Sequence, residues 1–383
     1  MRRKRLLMTG MAMLLFTGCL VKVEIPEPIT DCDSNPVYEN SHVNSDELNA
    51  VMEKSVSVGL TGAVALIKSA EKGTFMHAVG AADLENGAPM QACQQFRVAS
   101  LTKIFTATAT LLLVEEGIIS LDNTIAELLD IEQYSGIQGS EVITLAQLLN
   151  HTSGVPNYDD DIRFAPMVLN APGAPIKLED KLALVRSSGG RVPDWVIRKF
   201  GQIYSNTNYL LLQLIIEKHS GLPYEAFIRK EIIEPLGLSR TLFGTEEAYP
   251  QGLATGYVDF YGNGRMRNVN NWDAHRFQAE GDLISTAGDL MKFFEGLLKG
   301  SLLKKATLEL MKTQRLGLLQ EEFFLENAMG HDGIAIGYSA ELWYLPRSEL
   351  MVVLLSNQGR LVFENESVLQ FENLLRDLIG LGK

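Results

Sequence analysis

The segment Ile104–Val114 constrains this chain more than any other, because it is a helix-forming run with no charged residue in it. A helix without a polar face has no side to turn to water and must be enclosed all round. Enclosing it takes a large core. The 383 residues, 46% of them hydrophobic, suffice for one large domain or two closely joined ones. The helix is entered through Phe96-Arg97-Val98-Ala99-Ser100-Leu101-Thr102-Lys103. Residues three apart on a helix share a face, so Ser100 and Lys103 place a hydroxyl beside an amine at a helix N-terminus, where partial positive charge favours an anion. An amine that takes the serine proton turns a poor nucleophile into a good one. A lysine at the mouth of a buried helix is also costly unless it has partners.

The same spacing occurs at Ser69–Lys72 and Ser301–Lys304, so spacing alone does not select a site. Ser69–Lys72 precedes Gly73 between two strand-like runs and reads as a hairpin tip. Ser301–Lys304 follows Gly300, has Lys305 beside it, and reads as the solvated start of a short helix. Only Ser100–Lys103 leads a buried helix.

The formal charge is −13, and the four basic residues of the first eighteen, Arg2, Arg3, Lys4 and Arg5, leave the remainder more acidic still. No basic stripe is present to neutralise phosphates, which argues against nucleic acid as a partner. Those four residues and the apolar run Leu6–Phe16 form a targeting segment, residues 1–18. The segment is shorter than the roughly 20 residues a membrane span needs. Leu15-Phe16-Thr17-Gly18-Cys19 resembles a bacterial lipoprotein lipobox, with Phe where Leu is usual, and favours a lipidated Cys19 over a plain signal peptide. Leu20 in place of Asp implies an outer-membrane destination facing the periplasm. Export implies an oxidising compartment, where Cys32 and Cys93 are a possible disulfide or two free thiols. Residues 19–44, with Pro26, Pro28 and Pro36, read as a tether ahead of a domain at 45–383.

Along that domain the patterns predict a helix at Ser45–Val58 capped by Ser45, and a hairpin of Gly62–Lys68 with Thr74–Gly80. Helices follow at Leu145–Asn150, Tyr209–Ser220 and Tyr224–Ile233. A second hairpin, Ile334–Leu345 with Glu349–Ser356, and a helix at Val368–Ile379 close the chain. Strands at both ends and helices between them predict an α/β (α+β) fold. Its antiparallel sheet is formed from both chain termini and flanked by helices, about residues 45–99 and 281–383. A mostly helical part, about 100–280, is inserted.

An activated serine also needs a proton relay, a group that fixes the lysine, and an oxyanion hole. Tyr204-Ser205-Asn206 supplies a phenol and an amide: a phenol near a cationic lysine ionises more easily, and Asn206 is placed to bond Lys103 and a substrate amide. The same pattern at Tyr38–Asn40 and Tyr261–Asn263 reads as surface. His331-Asp332-Gly333 stands at the entrance of the strand beginning at Ile334. There His331 is placed to donate to Tyr204 or to a substrate carboxylate, and Gly333 admits the substrate to the strand backbone. The N–H groups of Ser100 and Ile334 would form the oxyanion hole. No Gly-x-Ser-x-Gly elbow, His-Glu-x-x-His zinc motif or phosphate loop occurs, and the six histidines are scattered, so neither metal nor cofactor is expected.

Ser100-x-x-Lys103, Tyr204-Ser205-Asn206 and His331-Asp332-Gly333, in that order, resemble the penicillin-recognising serine hydrolases. Within that superfamily they resemble the branch of class C β-lactamases, D-alanyl-D-alanine carboxypeptidases, D-aminopeptidases and esterases. His151–Pro156, Pro235-Leu236-Gly237 and Gly281–Ala287 extend the likeness over about residues 45–380, with Asp282 replacing a family glycine. The resemblance implies acylation of Ser100, proton handling by Lys103 and Tyr204, and substrate binding by Asn206, His331, Gly333 and Ile334. It implies an acyl-enzyme hydrolase acting on an amide or ester: a D-amino-acid peptide, a β-lactam or a short ester. His331 in place of the β-lactamase lysine makes efficient β-lactam hydrolysis less expected, and Asp332 adds negative charge that disfavours a substrate carboxylate. The competing reading is a catalytically inactive binding lipoprotein on the same fold.

Overall fold

The structure, a computed structural model, describes residues 38–188, 190–245, 250–272, 277–359 and 366–383. Cys19 and Cys32, with the targeting segment and most of the tether, lie outside the described residues. Cys93 is buried and disulfide-bonded.

In chain order the strands are β1 (Gly62–Ser69), β2 (Gly73–Asp83), β3 (Ala88–Pro89), β4 (Phe96–Arg97), β5 (Leu242–Phe243), β6 (Tyr257–Val258), β7 (Arg267–Asn268), β8 (Leu283–Ser285), β9 (Leu319–Phe323), β10 (Glu326–Ala335), β11 (Tyr338–Leu345) and β12 (Leu350–Ser356). Seven of them form one antiparallel sheet in the order β3-β2-β1-β12-β11-β10-β9, so the two ends of the chain meet at the β1–β12 ladder. β12 reads Leu-Met-Val-Val-Leu-Leu-Ser rather than alternating, because both of its faces are covered. Ala65, Ile67, Val352 and Leu354 point to the rear, where they meet Leu48 and Met52 of α1 (Ser45–Ser57). Val64, Leu66, Val353 and Leu355 point to the front core. Each fully buried Val, Leu or Ile of this kind contributes about 1.5–3 kcal/mol.

The front core is built around α2 (Thr102–Glu115), in which every residue from Thr102 to Leu111 is buried. Three buried threonines are tolerated because Thr106, Thr108 and Thr110 each donate back to the carbonyl four residues earlier. Phe105 stacks on Phe293 with ring centroids 3.6 Å apart. The inserted part packs onto α2 through α4 (Asn206–Ser220), against which α3 (Leu178–Ser187) lies in turn, while α5 (Ala287–Leu298) lies on the sheet and α6 (Glu366–Gly382) covers its rear. Among the described residues no helix is long and apolar enough to cross a membrane.

Several expectations are corrected. Asn44, not Ser45, stands at the N-cap position of α1, and the Ser45 hydroxyl donates to the His42 carbonyl. The last tether residues belong to the domain: Ser41 and Val43 donate backbone N–H groups to Thr74 and Lys72, and Tyr38 packs on the front core. The run Ile334–Leu345 is two strands, broken where Gly337 turns at φ 90°. The preceding strand starts at Glu326, so His331 lies inside β10 rather than at its entrance. The segment at 281–286 joins β4 and β5 in a separate three-stranded sheet, β4-β8-β5.

Candidate active site

A 3-10 turn, Ala99–Leu101, precedes α2, so Ser100 sits on the turn and not within the helix proper. Ala99 has φ 47°, a left-handed conformation that costs a non-glycine residue about 1 kcal/mol or more. The turn aims the Ser100 side chain into a cavity of about 250 Å³. Beyond the end of β9, the upper half of β10 packs on this turn. A Cβ on Gly333 would lie 2.3 Å from the Val98 carbonyl and 3.2 Å from the Ser100 nitrogen, which is why only glycine fits there.

Segments far apart in the chain converge on the serine and its lysine. Lys103 Nζ donates to Ser100 Oγ at 2.9 Å, and the Tyr204 hydroxyl donates to the same oxygen at 2.9 Å. Lys103 is fully buried. Its second partner is the backbone carbonyl of Glu280, at 2.6 Å. Burial is the largest influence and lowers its pKa to about 7, assisted by the charge of Lys181 and opposed by Glu280, Asp159 and Asp332. A substantial neutral fraction therefore exists near pH 7, so the amine can serve as a base.

Other side chains differ from their expected roles. The Tyr204 phenol is pushed well up by burial, only partly offset by its bond to Ser100, so it stays protonated rather than ionising beside the lysine. Asn206 does not bond Lys103: its Nδ2 donates to Asp159 at 2.6 Å, and its Oδ1 has no hydrogen-bond partner. His331 does not donate to Tyr204. Its Nδ1 lies 2.5 Å from the Asp332 carbonyl, an acceptor, so Nδ1 carries the proton and Nε2 presents a lone pair with no partner. Burial lowers its pKa to about 4, so it is neutral at pH 7. Asp332 leaves the cleft, since alternate residues of β10 face opposite ways. It lines a hollow at the rear with Glu321 and Glu341.

The cavity is lined by the apolar groups Phe164, Val168, Phe277, Ile334 and Ile336, with Ser100, Asp159, Asn206 and Glu280 as polar members. No Lys, Arg or His lines it among the described residues. Metal-holding clusters of His, Cys, Asp or Glu are likewise absent among the described residues.

The model of the β-lactamase family matches residues 48–372. The chain belongs to the β-lactamase family. Among its relatives, a penicillin-binding protein of Bacillus subtilis strain 168 is 30% identical over 260 residues, 63% of this chain and 54% of that protein. The chain thus spans about half of that relative's length. A D-amino acid amidase from Ochrobactrum anthropi SV3, solved with L-phenylalanine amide, superposes with a TM-score of 0.77 at 25% identity, over 88% of this chain and 97% of that one. A D-stereospecific amidohydrolase from a Streptomyces species gives 0.72 at 26% identity, over 85% and 97%.

Within this β-lactamase-family site, sequence reasoning missed four residues: Tyr158, Asp159, Lys181 and Glu280. Lys181 carried a signal. It stands with Leu178, Leu182 and Val185 at helical spacing, a lysine inside an apolar stripe, and it is fully buried. In the sequence His151 is only the first residue of a turn-rich loop. It stacks on Tyr204 at 4.3 Å, and its Nδ1 accepts the Ser205 N–H. That contact fixes the position of the tyrosine ring.

Proposed function

We propose that the protein is a serine hydrolase that cleaves amides of amine-bearing acyl groups with apolar side chains, through an acyl-enzyme on Ser100. The observation that carries this reading is the double hydrogen bond on Ser100 Oγ, from Lys103 and Tyr204, at the floor of an apolar cavity bordered by acids and no cation among the described residues. Lys181 is ion-paired with Glu280 and Asp159 accepts the Asn206 amide, and the acidic lining that Asp159 and Glu280 give the cavity suits an ammonium. His331, neutral and presenting a lone pair, offers nothing to a substrate carboxylate. The amidase neighbours agree with this choice.

In the first half-reaction Ser100 Oγ bonds to the acyl carbon while its proton passes to neutral Lys103. The carbonyl oxygen becomes an oxyanion between the N–H groups of Ser100 and Ile334. As the C–N bond breaks, the proton held by Lys103 is delivered to the leaving nitrogen, with the Tyr204 hydroxyl bridging. Water then repeats the sequence on the ester carbonyl and releases the acid. The N-terminal segment, read as an export signal with a lipidated Cys19, would hold this activity on the periplasmic side of the outer membrane.

The test is a panel of a D-amino-acid amide, its N-acetyl derivative, a D-Ala-D-Ala peptide, nitrocefin and a short acyl ester. The free-amine amide is expected to be the best substrate. In Asp159→Asn its KM should rise about tenfold while the N-acetyl compound is unaffected, the scale of one lost charge-assisted hydrogen bond. Preference for the N-acetyl amide or the D-Ala-D-Ala peptide would overturn the substrate assignment. Failure to react with any substrate or fluorophosphonate probe would leave the inactive binding protein.

A further inference from the structure

Behind the serine lies a second buried lysine, and it reaches the first through one residue. The Glu280 carbonyl accepts the Lys103 amine at 2.6 Å. The Glu280 carboxylate forms an ion pair with Lys181, accepts the Tyr158 hydroxyl at 2.8 Å on the same oxygen, and accepts the Gln278 N–H at 3.0 Å on the other. Lys181 also donates to Gln278 Oε1 at 2.7 Å. Lys103, Lys181 and Glu280 are 0%, 0% and 1% exposed. A surface ion pair contributes little, but a buried one is strongly destabilising when broken on one side only. The segment carrying residues 277–281 is therefore locked by charge on one side and supports the Lys103 amine with its backbone on the other.

We propose that the Lys181–Glu280 pair is a positioning couple for Lys103: it fixes the carbonyl that holds the amine, and each member cancels the charge the other would impose on it. The inference rests on the reading of Lys103 as the base, and it adds two residues that do not contact the nucleophile. The groups facing Lys103 are Glu280 and Asp159 at the cavity, Asp332 on β10, Lys181 on α3, the neutral rings of His151 and His331, and the phenols of Tyr204 and Tyr209. Glu280 favours the ammonium and Lys181 disfavours it, so single removals act in opposite directions. The Glu280 carboxylate itself is ionised, because Lys181 and its hydrogen bonds outweigh the cost of burial.

The experiment follows Lys103 ionisation directly, by the pH dependence of its side-chain NMR signal in lysine-labelled protein, assigned by its loss in Lys103→Met. It also follows the pH profile of kcat/KM. Lys181→Met is expected to move the Lys103 midpoint up by about one unit or more, and Glu280→Gln to move it down by a similar amount. The double variant Lys181→Met/Glu280→Gln removes both charges, keeps the volumes, and is expected to fold and return the midpoint near that of the parent. A double variant within about half a unit of the parent, with the single variants that melt cooperatively displaced in opposite directions, upholds the couple; coincident midpoints in all soluble variants, or a double variant displaced as far as a single one, overturn it. Opposed NMR shifts with an unmoved activity profile would support the couple while removing Lys103 as the base.

Discussion

Two segments of this molecule share the pattern Ser-x-x-Lys and do opposite things with it. At Ser100–Lys103 the side-chain amine bonds the hydroxyl, the hydroxyl faces a cavity, and the amine behind it is fully buried. At Ser69–Lys72, across the β1–β2 turn, it is the backbone nitrogen of Lys72 that donates to Ser69 Oγ, at 3.2 Å, while its amine reaches the Leu381 carbonyl at 3.3 Å. The third match, Ser301–Lys304, leaves its lysine 75% exposed beside Glu115. Spacing brings a hydroxyl and an amine near each other. Burial decides whether the amine is neutral enough to accept a proton.

That contrast can be broken most sharply at the serine. Ser100→Ala is expected to abolish the acyl burst and fluorophosphonate labelling, a loss of about 10³-fold or more in kcat, while Ser69→Ala retains both. Labelling that survives in Ser100→Ala would move the nucleophile elsewhere. Next in size, Lys103→Met should lower kcat/KM by about 10²–10⁴-fold with Lys72→Met close to the parent, measured on the same amide. The pH profile sharpens the comparison further. Because the base must be neutral and its pKa is held down to about 7, kcat/KM should fall about tenfold per unit as pH drops below that point and level off above it. A profile flat down to pH 5 would exclude Lys103 as the base. The smallest effect concerns stability: Lys72→Ala should change the unfolding free energy by no more than about 0.5 kcal/mol in a denaturant melt, as for most surface positions.

What could be read from the sequence was what lies close along the chain. Ser100 and Lys103 are one turn apart, and the charge-free run after them announced its own burial. The order of Tyr204 and His331 behind them placed three segments around one oxygen, which is the arrangement found for Tyr204; His331 is near but bonds elsewhere. Roles depending on protonation were misjudged. For Tyr204 the lysine's attraction was weighed without the larger effect of burial. Lys181 and Glu280 escaped because their contact joins residues 99 apart, and an acid beside a glycine looks like a surface loop until its partner is known. The start of β10 was missed for a similar reason. Glu326, at its first position, is 3% exposed and accepts the backbone N–H groups of Arg347 and Ser348 together with the Ser348 hydroxyl. A buried carboxylate with that many donors leaves no apolar signature.

The place of β12 between β1 and β11 has a consequence for how the molecule is made. Ser356 donates to the carbonyl of Gly62, a residue 294 positions earlier. The β1–β2 hairpin emerges early from the ribosome and then keeps one bare edge until residues 350–356 have been synthesised. Contacts of such range form slowly, because closing so long a loop comes before any reward from pairing. Until then the central sheet cannot close, and the apolar residues of β1 stay without the strand that covers their open edge.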